Sequence, residues 1–207
     1  MKKFFSLVLI LIICLVSVSC GSDVAVKDDN YYSKPWIDVV AAYTDVEDDD
    51  WYTDAVSWGV NQDIMVASKP TAFGVTKTMT KSELIVAMWK AAGAPGQYVS
   101  PKQISDSDPN SDVSKAMKWA VDMQIVHEND VASLINDATR LDAIDFLWNQ
   151  AQKPNVNETY SFDDTVGIDS VAWAKTMKIT YGIGHNLFGP DMDCTKAHMI
   201  TFLYRAK

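Results

Sequence analysis

The sequence predicts a mainly α fold made of three helix-loop-helix repeats that must pack around a shared helical core. Three observations predict it. A Trp followed by a small residue occurs three times, as Trp58-Gly59, Trp119-Ala120 and Trp173-Ala174, and six residues after each Trp stands Ile64, Ile125 or Ile179. A Thr follows each Ile after 14 to 16 residues, at Thr80, Thr139 and Thr195, and ten residues from each Thr align without a gap. Within those ten, Ile85, Met88 and Trp89, then Ile144, Leu147 and Trp148, then Ile200, Leu203 and Tyr204 recur at i, i+3 and i+4, the signature of one apolar helix face. A self-similar period dictates architecture, so the repeat takes precedence over any single motif.

The elements follow in chain order. Lys2 and Lys3, the apolar run Phe4 to Val18 and the small-residue exit through Ser19 read as a secretory signal over residues 1–19. The run is shorter than the roughly 20 apolar residues a membrane span requires. Cys20 directly after it resembles a bacterial lipobox, which implies lipidation of Cys20 and anchoring to a membrane's outer face. Ser17 stands where that motif favours an aliphatic residue, and a simply cleaved signal with an incidental cysteine is the alternative. Residues 20–42 read as a polar tether ending in a short helix over Trp36 to Tyr43, with Pro35 ahead of it.

The repeats then occupy 43–100, 101–157 and 158–207. The first helix of each is expected from about Asp49 to Gln62, Ser111 to Gln124 and Ile168 to Met177, with its Trp on the buried side. The second starts at the Thr, a good N-cap, on which Glu83 or Asp142 three residues later can close a capping box. No single unit of roughly 50 residues buries both of its stripes, so the copies must pack on one another.

Composition bounds the function. The chain is 48% hydrophobic and 22% charged with a formal charge of −9, which suits a globular protein and argues against nucleic acid, whose phosphates need clustered cations. Of three cysteines, Cys14 and Cys20 lie in the targeting region, which excludes a disulfide framework; Cys194 shares an apolar column with Met79 and Ala138 and reads as a buried, inert thiol. Asp106-Ser107-Asp108-Pro109-Asn110-Ser111-Asp112 begins like a calcium loop but has Ser111 for the required Gly and Met117 for the closing Glu, so it reads as a turn ending in a helix N-cap. Glu47-Asp48-Asp49-Asp50 reads as a solvated, helix-starting run. His127, His185 and His198 lack metal-ligand spacing, and His198, in place of a capping Glu, reads as a helix-start residue. No nucleophile elbow, metalloprotease helix, P-loop or dinucleotide fingerprint is found, so neither an enzyme nor a cofactor nor a metal is expected.

The unit resembles the S-layer homology domain, a bacterial envelope module usually present three times in a chain. Tyr43-Thr44-Asp45-Val46 and Phe162-Asp163-Asp164-Thr165 match its opening, and Ile104-Ser105-Asp106-Ser107 follows it loosely. Trp51-Tyr52 matches its aromatic pair, Gly182 its loop glycine and Phe188-Gly189-Pro190 its Phe-x-Pro. Thr80-Lys81-Ser82-Glu83, Thr139-Arg140-Leu141-Asp142 and Thr195-Lys196-Ala197-His198 match its Thr-Arg-Ala-Glu. The resemblance implies a pseudo-threefold helical assembly whose grooves bind secondary cell-wall polysaccharide, often through a pyruvylated sugar. Repeat two departs from the pattern at Asp112 and Ala132, and Lys81 and Lys196 replace the motif arginine, a point charge in place of a bidentate fork.

Independently of that resemblance, a cation directly after the N-cap of all three helices opposes the macrodipole, at a cost of up to about 1 kcal/mol each. Helix-start N–H groups beside a cation make an anion site suited to a carboxylate; alternatively each cation simply pairs with a loop aspartate. The candidate glycan-binding residues are Lys81, Arg140 and Lys196 for the carboxylate, Asp45, Asp106 and Asp164 for sugar hydroxyls, and Trp51 for stacking. The expected function is a non-catalytic, extracytoplasmic envelope anchor that binds secondary cell-wall polysaccharide while Cys20 holds the membrane. The alternative is a scaffold docking another envelope protein through grooves that have lost the glycan.

Overall fold

The structure is a computed structural model that describes residues 36–96, 108, 110–156 and 161–207. The signal segment, Cys20, the tether as far as Pro35 and Asp106 lie outside the described residues. Among the described residues there are seven α-helices and one 3-10 helix, with isolated bridges but no strand.

Helix α1 (Val39–Ala42) is shorter than expected and starts where the Asp38 carboxylate accepts from Val40 N and Ala41 N. Helix α2 (Thr53–Asn61) begins later than the acidic run suggested, because Asp49 holds a left-handed φ of 66° and leaves that run as a turn. Helix α4 (Asp112–Asp122) is capped by Ser111, whose Oγ accepts from Ser114 N, and α6 (Asp169–Thr176) follows Ile168. Helices α3 (Lys81–Ala91), α5 (Arg140–Gln150) and α7 (Lys196–Ala206) start at Thr80, Thr139 and Thr195, each with a complete capping box. The third box is closed by His198, a partner the sequence reading did not assign. Between α4 and α5, where Ala132 stands in the column of the buried Phe73 and Phe188, the loop becomes a 3-10 helix (Glu128–Ile135) that buries Leu134.

The first helix of each expected repeat packs on the second helix of another: α4 on α3, α6 on α5, and α2 on α7. The capped helices α3, α5 and α7 also touch pairwise. On these helices Ile85, Ile144 and Ile200 are wholly buried, and burial of such a side chain contributes about 1.5–3 kcal/mol. Trp119 and Trp173 are buried as expected, while Trp58 is half-buried against the Tyr204 ring.

Just ahead of these helices, three segments are joined by their backbones. Met79 N donates to Cys194 O at 2.9 Å, Cys194 N to Ala138 O at 2.8 Å, and Ala138 N to Met79 O at 2.9 Å. The cycle is closed. Its three side chains are buried, and Cys194 is a free thiol whose pKa burial pushes up to about 12, the inert thiol expected. Two residues on, the amides join the same three segments in the opposite sense, with Lys81 N donating to Asn136 O, Arg140 N to Met192 O and Lys196 N to Lys77 O.

Trp36–Lys207 form one compact unit, and among the described residues no helix is long and apolar enough to cross a membrane. The small residue after each repeat Trp has a packing reason at Gly59: an added Cβ would collide with Cδ1 of Ile200 where α2 crosses α7. Gly59→Ala, which helix propensity alone would favour by about 1 kcal/mol, is expected instead to lower stability by about 1–3 kcal/mol through overpacking. Urea unfolding checks this as a lower midpoint at unchanged slope.

Candidate functional site

The three cations at the helix starts project into unlike surroundings. Lys81, on α3, pairs with Asp142 of α5, Nζ to Oδ1 at 2.7 Å. Lys196, on α7, is 7% exposed; its Nζ donates to Val66 O and Phe73 O, both at 2.6 Å, and to Ser68 Oγ at 3.2 Å, and lies 4.1 Å from the Phe73 ring centroid. Desolvation lowers its pKa to about 8, assisted by Lys77 and opposed by Glu83 and Asp45. Arg140, on α5, is 3% exposed; its Nε donates to Phe188 O at 3.0 Å, and the guanidinium carbon lies 4.8 Å and 5.3 Å from the ring centroids of Phe188 and Phe202. Among the described residues Arg140 has no ion pair within 4 Å.

Two cavities accompany these cations. One, of about 390 Å³, is lined by Arg140, Trp51, His198, Phe202, Tyr181 and Arg205, with Gly182 at φ 77° in its wall. Trp51 is 53% exposed and stacks on the His198 ring at 5.6 Å, and His198 in turn lies stacked 6.3 Å from Phe202. The guanidinium of Arg205 lies 4.7 Å from the Tyr181 ring centroid. Two cations and four aromatic or imidazole rings thus share one opening, an arrangement that can hold an anion and stack on a flat, partly apolar ligand face. The other cavity, of about 280 Å³, is more apolar; Lys196, Lys77 and Glu83 line it beside Val66, Val86 and Val113.

The predicted aspartates do different work. Asp45 accepts from Phe73 N at 2.8 Å, Gly74 N at 2.7 Å and Val75 N at 3.0 Å. Asp164 accepts from Phe188 N at 2.9 Å and Gly189 N at 2.8 Å. Although desolvation acts in the opposite direction, these backbone donors hold both carboxyls below the usual carboxylate range. Each therefore fastens the loop that presents a buried Phe beneath a cation. No described cation pairs with either of them within 4 Å, so the expected pairing of helix-start cation and loop aspartate gives way to that of Lys81 with the helix residue Asp142.

At α5 and α7 the first three helical amides are already committed, and at α3 those of Lys81 and Glu83 are. Lys81 N, Arg140 N and Lys196 N donate to neighbouring carbonyls, Leu141 N and Ala197 N donate to Pro190 O and Val75 O, and the cap Thr hydroxyls take the amides of Glu83, Asp142 and His198. At α5 and α7 the charge that faces a ligand is therefore that of the side chains rather than of the helix start. Sequence reasoning also missed Tyr181, Arg205 and Phe202. The repeat alignment carried a signal for them, since Tyr181 stands in the column of Val66 and His127, and Arg205 in that of Lys90 and Asn149. Ser111 caps α4, as the turn reading of Asp106 to Asp112 expected, while Asp106, Ser107 and Pro109 lie outside the described residues.

The imidazole of His198 accepts from Thr195 N through Nδ1 at 3.2 Å. Desolvation first, then the positive charge of Arg140, lowers its pKa to about 4, with the Asp193 carbonyl opposing. A folded pKa below the unfolded 6.5 means that the unfolded chain binds more protons between those values. The contribution to stability is therefore full above pH 6.5 and lost as pH falls to about 4. Unfolding midpoints measured across that window should fall for the wild type, and His198→Gln should flatten the difference between the two ends.

Residues 161–200 match the family model of the S-layer homology domain. The matched segment contains Phe162 to Thr165, Trp173, Phe188 to Pro190 and Thr195 to His198, so it lies within the expected third repeat, and its Tyr181, Gly182 and His198 line the larger cavity. A search among curated proteins returned no match. The S-layer homology domain is a module of cell-wall and envelope anchoring, and this segment is similar to it.

Proposed function

We propose that this protein is a non-catalytic envelope anchor that grips an anionic secondary cell-wall polysaccharide in the cavity between Trp51 and Arg140, while a lipid on Cys20 holds the membrane. One observation carries the reading: a cavity of about 390 Å³ that combines an exposed Trp, a Tyr and two arginines, with no carboxylate among its lining residues. In this reading Arg140 and Arg205 hold a sugar-borne carboxylate and Trp51 and Tyr181 stack on sugar faces. Asp45 and Asp164 keep the loops in place, Lys81 and Lys196 occupy the two equivalent positions, and Asp106 completes the set in the second repeat. The three repeats stand in a pseudo-threefold arrangement, supported by the closed backbone cycle of Met79, Ala138 and Cys194.

A second reading, a scaffold that docks another envelope protein, is favoured by the apolar cavity whose rim carries the exposed Val66 and Val113. Co-sedimentation separates the two readings. The protein should pellet with purified wall polysaccharide and fail to do so after mild acid has removed ketal-linked pyruvate. Because Trp51 is exposed, Trp51→Ala should leave the fold intact and weaken retention by roughly tenfold, about 1.4 kcal/mol. Retention unaffected by both treatments overturns the carboxylate reading, and absence of any retention transfers the function to the scaffold.

A further inference from the structure

We propose that His198 determines which of the three repeats accepts an anionic saccharide, because it places an uncharged capping residue where the other two repeats place a carboxylate. The inference rests on the polysaccharide reading above and assigns its specificity.

The three capping residues are geometrically alike. Thr80 N donates to Glu83 Oε2 at 2.9 Å, Thr139 N to Asp142 Oδ2 at 2.8 Å and Thr195 N to His198 Nδ1 at 3.2 Å. Each also lies near the helix-start cation of a neighbouring repeat. Asp142 ion-pairs with Lys81 at 2.7 Å, Glu83 is electrostatically coupled to Lys196 and pairs with Lys77 at 3.1 Å, and His198 is coupled to Arg140. In the first two cases the capping carboxylate offsets the cation. In the third, an imidazole that accepts through Nδ1 is neutral and offsets nothing.

The loop aspartates do not explain the difference. Asp164 acts on Arg140 as Asp45 acts on Lys196, and both have backbone donors on their oxygens. What distinguishes the Arg140 cavity is the capping residue, together with the second guanidinium of Arg205. His198 is also fixed at the ligand's level, since it lines the cavity between the rings of Trp51 and Phe202. A carboxylate there would face an incoming anion directly, and like charges brought together in a half-buried site cost enough to reject a ligand.

Titration calorimetry at neutral pH tests this with a hexoside carrying a pyruvate ketal and with the methyl ester of the same compound. His198→Glu restores a cap of the Glu83 type, and His198→Gln is a neutral cap; thermal unfolding of both variants monitors the fold. The wild type should bind the acid and reject the ester, and His198→Glu should bind the acid at least about tenfold more weakly than His198→Gln. Wild-type binding with His198→Glu undiminished, or with His198→Gln as impaired as His198→Glu, overturns the role of His198 and leaves the polysaccharide reading standing. Absence of binding by the wild type overturns that reading itself and the inference with it.

Discussion

Three backbone hydrogen bonds, from Met79 to Cys194, from Cys194 to Ala138 and from Ala138 to Met79, tie together parts of the chain that are far apart in sequence. Each bond needs both neighbours, so none of the three segments can leave without breaking two bonds and exposing buried amide groups, whose desolvation is costly when unmatched. The start of each capped helix is thereby fixed relative to the other two. With the starts fixed, α3, α5 and α7 touch pairwise, Ile85, Ile144 and Ile200 are buried, and α2, α4 and α6 pack on α7, α3 and α5. The repeat is a unit of sequence, but it is not a unit of packing.

The same cycle explains why three helices begin with a cation. Residues directly after the caps have their amides committed to the next segment, so their side chains are carried across the junction between repeats. A cation there meets another repeat's loop carbonyls, rings or capping residue, and these contacts outweigh the macrodipole's opposition of up to about 1 kcal/mol. Lys196 shows the extreme case: nearly buried, it is held by two carbonyls, a hydroxyl and the Phe73 ring, and its pKa is still depressed to about 8. Lys81 is neutralised by a carboxylate. Arg140 lies over the Phe188 and Phe202 rings while it also lines a cavity, which suits a guanidinium better than an ammonium.

What could be read in advance divides along the range of the interactions involved. Thr80, Thr139 and Thr195 announced their helices because caps, boxes and i, i+3, i+4 stripes are local. The backbone cycle left no side-chain trace beyond a column of small or apolar residues, Met79, Ala138 and Cys194, which by itself says only that the position is buried. Asp45 and Asp164 stood out as candidates, but their partners are backbone amides in loops more than twenty residues downstream, and no composition rule points to those. His198 was visible as a departure from the capping pattern, yet its meaning depends on Arg140 lying near it from another repeat. Trp51 was legible through the aromatic pair Trp51-Tyr52 that the family resemblance picked out; that it stacks on His198 was not.

The account's central claim is that ligand binding occurs at the Trp51 and Arg140 cavity. Of the seven tryptophans, Trp51 is exposed at that cavity, whereas Trp119 and Trp173 are buried away from its lining. The indole N–H resonances of an isotopically labelled protein therefore report the site directly. Titration with a saccharide bearing a pyruvate ketal should move the Trp51 resonance and leave those of Trp119 and Trp173 in place. A saccharide that binds while the Trp51 resonance stays fixed would contradict the account.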